Sequence, residues 1–304
     1  MEHSSSPAQP EFNRRPDRPK PAWLKVRLPS LPDYFEVAEK LRGERLHTIC
    51  QSARCPNIGE CWSEKTATFL LLGEVCTRTC AFCAVNKGIP APLDRDEPDR
   101  VAEAASAFGL SHVVLTSVTR DDLPDGGASG FARTVAAVKA RIPRATVEVL
   151  IPDFQGREED LETVMAARPD VVNHNLEVPE RLYPLIGRPL AHYRRSLQVL
   201  TAAKAKGAFT KSGLMLGLGE SEGEIFQAFS DLRQASCDLL TLGQYLRPRM
   251  DLARVERYYS PQEFEQWRLI ALDFGFQAVE AGPLVRSSYH ARRMAEGLSG
   301  RGRP

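Results

Sequence analysis

The sequence predicts an α/β fold, a partial (β/α)6 barrel of the TIM type with N- and C-terminal extensions. Three observations carry this. From Thr68 onward, six short apolar runs alternate with amphipathic stretches. Such a repeat builds a parallel sheet, because parallel neighbours need crossover connections. The runs are nearly continuous in apolar residues, as suits strands covered on both faces. A closed eight-strand barrel would need two further units, and residues 1–67 do not supply them. The alternative is a doubly wound open sheet. In both architectures, chemistry belongs at the C-terminal ends of the strands.

Taken in order, residues 1–22 combine Pro, Ser and charge with almost nothing apolar, which reads as a disordered arm. Arg14, Arg15, Arg18 and Lys20 suit a solvated tail, with steering of an acidic partner as the alternative. Residues 23–67 form an N-terminal extension. The barrel is expected over 68–275. Its strand candidates are TFLLLGE (68–74), HVVLTSV (112–118), TVEVLIP (146–152), DVVNHNLEV (170–178), KSGLMLGLG (211–219) and LLTLGQY (239–245). Between them, 98–109, 130–142, 157–168, 193–207 and 221–235 repeat apolar residues at helical spacing. Ser221 with Glu224 reads as a capping box. Residues 276–304 make a C-terminal extension.

The 304 residues are 42% hydrophobic and 26% charged, an ordinary globular composition that can bury a large core. A net charge of +1 gives no reason to invoke nucleic acid or a membrane surface. No apolar run reaches the roughly 18 residues of a bilayer span. The acids and prolines near the N-terminus argue against a targeting segment. A cytoplasmic protein is expected, with no membrane and no nucleic-acid partner.

Six of the seven cysteines fall between Cys50 and Cys83. In a chain of this size such clustering points to metal rather than disulfides. Cys76, Cys80 and Cys83 have C-x3-C-x2-C spacing in a loop after the first strand. Three thiolates there suit a 4Fe–4S cluster with one iron open. A structural zinc site is the alternative, but it calls for a fourth ligand in a paired pattern, and none appears. Cys50, Cys55 and Cys61 have C-x4-C-x5-C spacing, which no single helix face can display and a wrapped loop can. Cys237 reads as a buried thiol acting as a small hydrophobe.

The first triplet, with Phe82 before its last cysteine, resembles the signature of the radical S-adenosylmethionine superfamily. The second triplet, with KPAWLK (20–25), NIGECW (57–62) and Arg286-Ser287-Ser288-Tyr289, resembles the lipoyl synthase family. The likeness extends from about Pro21 to about His290. It implies two 4Fe–4S clusters and S-adenosyl-L-methionine, bound through its amino and carboxylate groups to the open iron of the first cluster. Such clusters reach potentials as low as about −700 mV, so an electron able to split the sulfonium and release a 5′-deoxyadenosyl radical is available. The family pattern gives the second cluster a serine as fourth ligand, Ser288 here, with Ser287 the alternative. Clusters favour soft thiolates, so an alkoxide would be the easiest corner to lose, which suits a sulfur store. Read from residues alone, the same serines fit a helix N-cap before YHARRMAEG.

The resemblance further implies sulfur insertion at C6 and C8 of an octanoyl group amide-linked to lysine. The carrier would be a lipoyl domain, either a 2-oxoacid dehydrogenase acyltransferase subunit or a glycine-cleavage H protein. Ferredoxin or flavodoxin would supply electrons, and an Fe–S carrier would rebuild the second cluster. Asn173, Asn175 and Glu177 break an apolar run and are candidates for holding S-adenosylmethionine, since buried polar groups need partners. Arg188 and Lys211 are candidates for its carboxylate. Gly126-Gly127 offers turn amides for a carboxylate or ribose, or is simply a turn. Phe82 either shields the cluster or packs. His174 receives no chemistry. The other functions weighed are a methylthiotransferase-like two-cluster enzyme, which should carry a basic RNA-binding appendage, a non-enzymatic Fe–S sensor, and a zinc-stabilised binding module.

Overall fold

Strands form where the apolar runs lie, and the sheet they build turns a polar face inward. The computed structural model describes residues 19–26, 32–63 and 68–296. Most of the N-terminal arm, with Arg14, Arg15 and Arg18, lies outside the described residues. The main sheet begins with β1 (His47–Thr48), antiparallel to β2 (Thr68–Leu71), His47 facing Leu70. Next come β3 (Val75–Cys76) and β4 (Asn86–Lys87), a separate two-stranded parallel clasp. The sheet resumes through β5 (His112–Ser117), β6 (Thr146–Leu150), β7 (Val171–Asn173), β8 (Phe209–Leu216), β9 (Leu239–Gln244) and β10 (Ala278–Gly282). The spatial order is β1-β2-β5-β6-β7-β8-β9-β10, parallel from β2 onward.

The crossovers are α4 (Glu97–Ala107), α5 (Ala128–Arg141), α6 (Glu158–Ala166), α7 (Ala191–Ala205), α8 (Glu222–Gln234) and α9 (Pro261–Asp273). Ahead of them lie α1 (Pro32–Gly43), α2 (Ile49–Ser52) and α3 (Ile58–Ser63), and the last helix is α10 (Ala291–Glu296). Ser221 with Glu224 and Ser260 with Glu263 make complete capping boxes on α8 and α9. Among the described residues no helix is long and apolar enough to cross a membrane.

Strand side chains alternate faces. Val113, Leu115, Val147, Val149 and Val172 pack in one buried cluster with α4 and α5, and Leu214, Leu216, Leu240 and Leu242 in another with α8 and α9. The opposite parity holds His112, Thr116, Glu148, Asn173, Lys211 and Thr241, all buried. It also holds Gly213, Gly243 and Gly282. The outer face is predominantly apolar, whereas the inner face mixes these polar and small residues with Val114, Val171 and Leu239, which corrects the expectation of strands apolar along both sides. A second difference lies at the C-terminus. β10 is a seventh parallel strand, beyond the six predicted and within 276–304. Its AVEAG sequence, with Glu280 half-buried at the sheet edge, carries no apolar run.

The curvature follows from α10. This helix of 6 residues, about 9 Å long at 1.5 Å per residue, packs on both β5 and β10. Those strands are five spacings apart in the sheet order, roughly 24 Å if flat. A sheet rolled into a partial barrel brings them together. The chain turns back after β10 and runs down the concave side. The Val285 carbonyl lies over Gly243 and the His290 ring meets Glu280 at 3.0 Å. Met294 then buries itself against Val171 and Leu239, at the N-terminal ends of β7 and β9.

Candidate active site

The first cysteine loop leaves β2 through Leu72 and Gly73, at φ 68° and 95°. It is pinned from several directions. The Thr77 amide and hydroxyl donate to the Thr119 carbonyl at 3.1 and 3.0 Å. The Ala81 amide donates to the Ile186 carbonyl at 2.9 Å, and Ala253 donates back to the Ala81 carbonyl at 2.7 Å. Lys87 reaches the Cys80 carbonyl at 2.9 Å. Arg78 forks onto Asp121 at 2.7 and 2.9 Å and reaches Asp153 at 2.6 Å. Burial works against both charges of that last pair. The paired Asp121 and Asp153 nevertheless raise the Arg78 pKa, and Arg78 holds Asp153 well below the usual carboxylate range. Arg78 and Asp153 are site residues the sequence reading did not single out. The x positions of C-x3-C carry no pattern, and only the fold brings Asp153 beside them.

Two N–H groups point at sulfur here. The Arg78 amide donates to Cys76 Sγ and the Arg188 Nε to Cys80 Sγ, each at 3.4 Å. Arg188 also lies 3.9 Å from Glu177 and 5.7 Å from the centroid of the Phe82 ring. Phe82 packs against the second hydrophobic cluster. Beside the loop, above the ends of β5, β6 and β7, a cleft is lined by Arg78, Thr116, Ser117, Asp153, His174, Asn175, Glu177 and Arg188. Glu177 holds φ 72°, a strained angle for a side-chain-bearing residue. Its amide donates to Gly213 and its carbonyl accepts from Met215. Burial pushes its carboxyl pKa up, while Arg188 and Asn175 draw it down.

Of the predicted ligand-binding residues, Glu177, Arg188 and Asn175 meet in this cleft. Asn173 and Lys211 do not, which corrects that expectation. They lie lower in the barrel, where the Lys211 ammonium bonds Glu148 at 2.9 and 3.2 Å and Asn173 donates to Glu148 at 3.0 Å. A fully buried ammonium is held by its carboxylate and is not available to a ligand above it. The glycine turn is likewise closed on itself. The Gly127 and Ser129 amides donate to Asp125 at 2.9 Å each, and a Cβ on Gly127 would sit 2.3 Å from Leu72. His174 is satisfied by the Ile151 carbonyl and Ser196, each at 2.9 Å, and burial lowers its pKa to about 4.

The second loop is built on α2 and α3. The Thr48 hydroxyl caps α2 through the Gln51 amide. The Cys55 amide closes on the Cys50 carbonyl, and the Cys61 amide on that of Asn57. Trp62 lies buried beneath, its ring 5.2 Å from that of Tyr34. The C-terminal segment is tied across this loop. Asn57 donates to the Leu284 carbonyl at 2.6 Å, and the Tyr289 hydroxyl to Glu60 at 2.9 Å. Ser287 and Asn175 exchange hydrogen bonds of 2.7 and 3.0 Å. The Ser288 hydroxyl makes no hydrogen bond among the described residues, so it does not cap α10.

All seven cysteines are free thiols. Burial pushes Cys50 and Cys83 up to about 11 and raises Cys55. As protonated thiols they coordinate poorly; iron binding would deprotonate them. Among the described residues no three Cys, His, Asp or Glu side chains converge as a single ion requires. A four-iron cube is gripped at separate corners, so its ligands stand wider apart. Cys237 donates to the Leu239 carbonyl at 3.3 Å, and burial takes its pKa to about 12, as expected of a core thiol.

Residues 70–232 match the model of the Radical SAM superfamily. The lipoyl synthase of Rubrobacter xylanophilus is 55% identical over 279 residues, 91% of this chain and 87% of that one. The lipoyl synthase of Caldanaerobacter subterraneus is 54% identical over 274 residues, covering 90% and 95%. The chain belongs to the lipoyl synthase family. Lipoyl synthases of the radical SAM type use S-adenosylmethionine and two 4Fe–4S clusters, and the residues here fit them. Two separate sets of three free thiols are present, and N–H donors face the sulfurs of one, as is usual around such clusters. Solved structures agree in fold alone. Methylornithine synthase (PylB) matches with TM-score 0.52 at 14% identity over 81% of each chain. Streptococcus suis SuiB matches with TM-score 0.54 at 10% identity, over 87% of this chain and 57% of that one.

Proposed function

We propose that this protein inserts two sulfur atoms, at C6 and C8, into an octanoyl group carried on the lysine of a lipoyl domain. The observation that carries the reading is the C-terminal segment, which ties the second cysteine loop, through Asn57–Leu284 and Tyr289–Glu60, to the cleft beside the first, through Asn175–Ser287. Cys76, Cys80 and Cys83 would hold the first cluster. Cys50, Cys55, Cys61 and Ser288 would hold the second. The unengaged Ser288 hydroxyl supports its choice over Ser287, which Asn175 occupies. With S-adenosylmethionine bound, the first cluster supplies a 5′-deoxyadenosyl radical and the second supplies sulfur.

This chain's own residues position and enclose. Arg188 and Glu177, opposite in charge and 3.9 Å apart beside Cys80, would orient the carboxylate and amino groups of S-adenosylmethionine. Arg78, fixed by two carboxylates, keeps the cysteine loop rigid. The buried Glu148–Lys211 pair and Met294 fill the barrel below, which would keep water from reaching an alkyl radical from that side. A ferredoxin or flavodoxin donor, an Fe–S carrier for repair and a cytoplasmic location complete the proposal.

The test is anaerobic incubation with an octanoyl-lysine peptide, S-adenosylmethionine and dithionite, followed by mass spectrometry. A peptide gaining two sulfurs is expected. 5′-Deoxyadenosine without a thiolated peptide would keep the radical chemistry and discard the substrate.

A further inference from the structure

Arg286 is a half-buried cation without a carboxylate. Among the described residues its guanidinium makes one hydrogen bond, Nη1 to the Val285 carbonyl at 2.6 Å, and no ion pair. A guanidinium has five N–H donors, and withdrawing one from water without an anion is unfavourable. Three guanidinium groups beside the first cysteine loop have anionic partners: Arg78 has Asp121 and Asp153, Arg120 has Asp122, and Arg188 has Glu177. Arg286 is also held where it stands. The Val285 carbonyl would lie 2.2 Å, and Arg286 Nη1 3.3 Å, from a Cβ on Gly243, so the segment rests on bare backbone. Asn57 and Glu60 clamp it on either side, at Leu284 and Tyr289.

We propose that Arg286, set between these two clamps to the second cysteine loop, is the counter-cation of the second cluster, turning its remaining N–H donors to it, and that it holds the cluster and raises its reduction potential. The inference rests on the cluster assignment of the preceding subsection. In the absence of iron, Arg286 is a charge without a partner; with the cluster in place it is paired. Removing it therefore has opposite effects on the two forms of the protein, which a purely structural arginine would not produce.

The experiment compares the full chain with Arg286→Met and Arg286→Lys, each in wild-type background and with Cys76, Cys80 and Cys83 changed to alanine to isolate the second cluster. Iron and sulfide content, thermal unfolding with and without cluster, and a spectroscopic redox titration are read. Expected for Arg286→Met are an iron-free melting temperature at or above wild type, a loaded one below it, and a lower reduction potential. Arg286→Lys should recover part of the potential. Failure of Arg286→Met to retain the cluster, with its iron-free melting temperature preserved, would equally support the role. An unchanged potential, or an equal loss of stability in both forms, overturns it. Wild type taking up only one cluster refutes instead the two-cluster reading beneath it, and this inference with it.

Discussion

At the residue scale, the polar groups inside the barrel set the acid stability of the protein. Burial works to raise the Glu148 pKa, but Lys211 and His112 more than reverse this and bring it from 4.5 to about 2. A carboxyl depressed by folding stabilises above its unfolded pKa and loses that contribution as pH falls through its folded one. Iron-free protein should therefore lose stability between about pH 4.5 and about 2, and thermal melts across that window check it. His174, neutral when buried, adds a loss that begins higher, from 6.5 down to about 4. Glu148→Gln strands the Lys211 ammonium and should cost about 3–5 kcal/mol in denaturant unfolding at neutral pH, while removing the lower part of the acid profile. Ser288→Cys tests a different residue. The variant should assemble its cluster and release sulfur to substrate more slowly than wild type, read as thiolated peptide per chain; an equal rate would show that a labile ligand is not the reason for serine. The two cysteine triplets were legible as spacings, which the proposed clusters would account for, and Arg286 as part of a motif. Arg78 and Asp153 were not, because only the fold brings them together.

At the element scale, all six predicted strands begin within two residues of their observed starts, and five of the six crossover helices fall where periodicity puts them; α9 was not predicted. β10 and the inner face were not legible. Both are rich in polar or small residues, and periodicity detects faces that bury continuous apolar surface. The missing side chains on that inner face are functional. Gly243→Ala would place a methyl 2.2 Å from the Val285 carbonyl and push residues 283–289 off the sheet. Overpacking of this kind costs about 1–3 kcal/mol. Iron content of the purified variant should fall by half, with helical circular dichroism intact. A fall to zero would mean that the two loops do not load separately. Ser260→Ala, by contrast, removes one side of the α9 capping box and should cost about 1 kcal/mol of stability without touching iron content.

At the scale of the whole molecule, the barrel frames the two proposed metal sites, the second of which would take its ligands from both ends of the chain. Changing either cysteine triplet to alanine should halve the iron, and the two losses should add, since different loops hold the two sets; analysis of each variant after anaerobic reconstitution checks this. The path of the C-terminal segment down the barrel has a consequence for biogenesis. Cys50 is synthesised 238 residues before Ser288 (288 − 50). At about 5–20 residues per second, the early thiols wait roughly ten seconds or more for the strand that closes over them. Ribosome-bound nascent chains should accordingly bear exposed, oxidisable sulfhydryls, and a cluster delivered to them before release would find Ser288, its proposed last ligand, still missing.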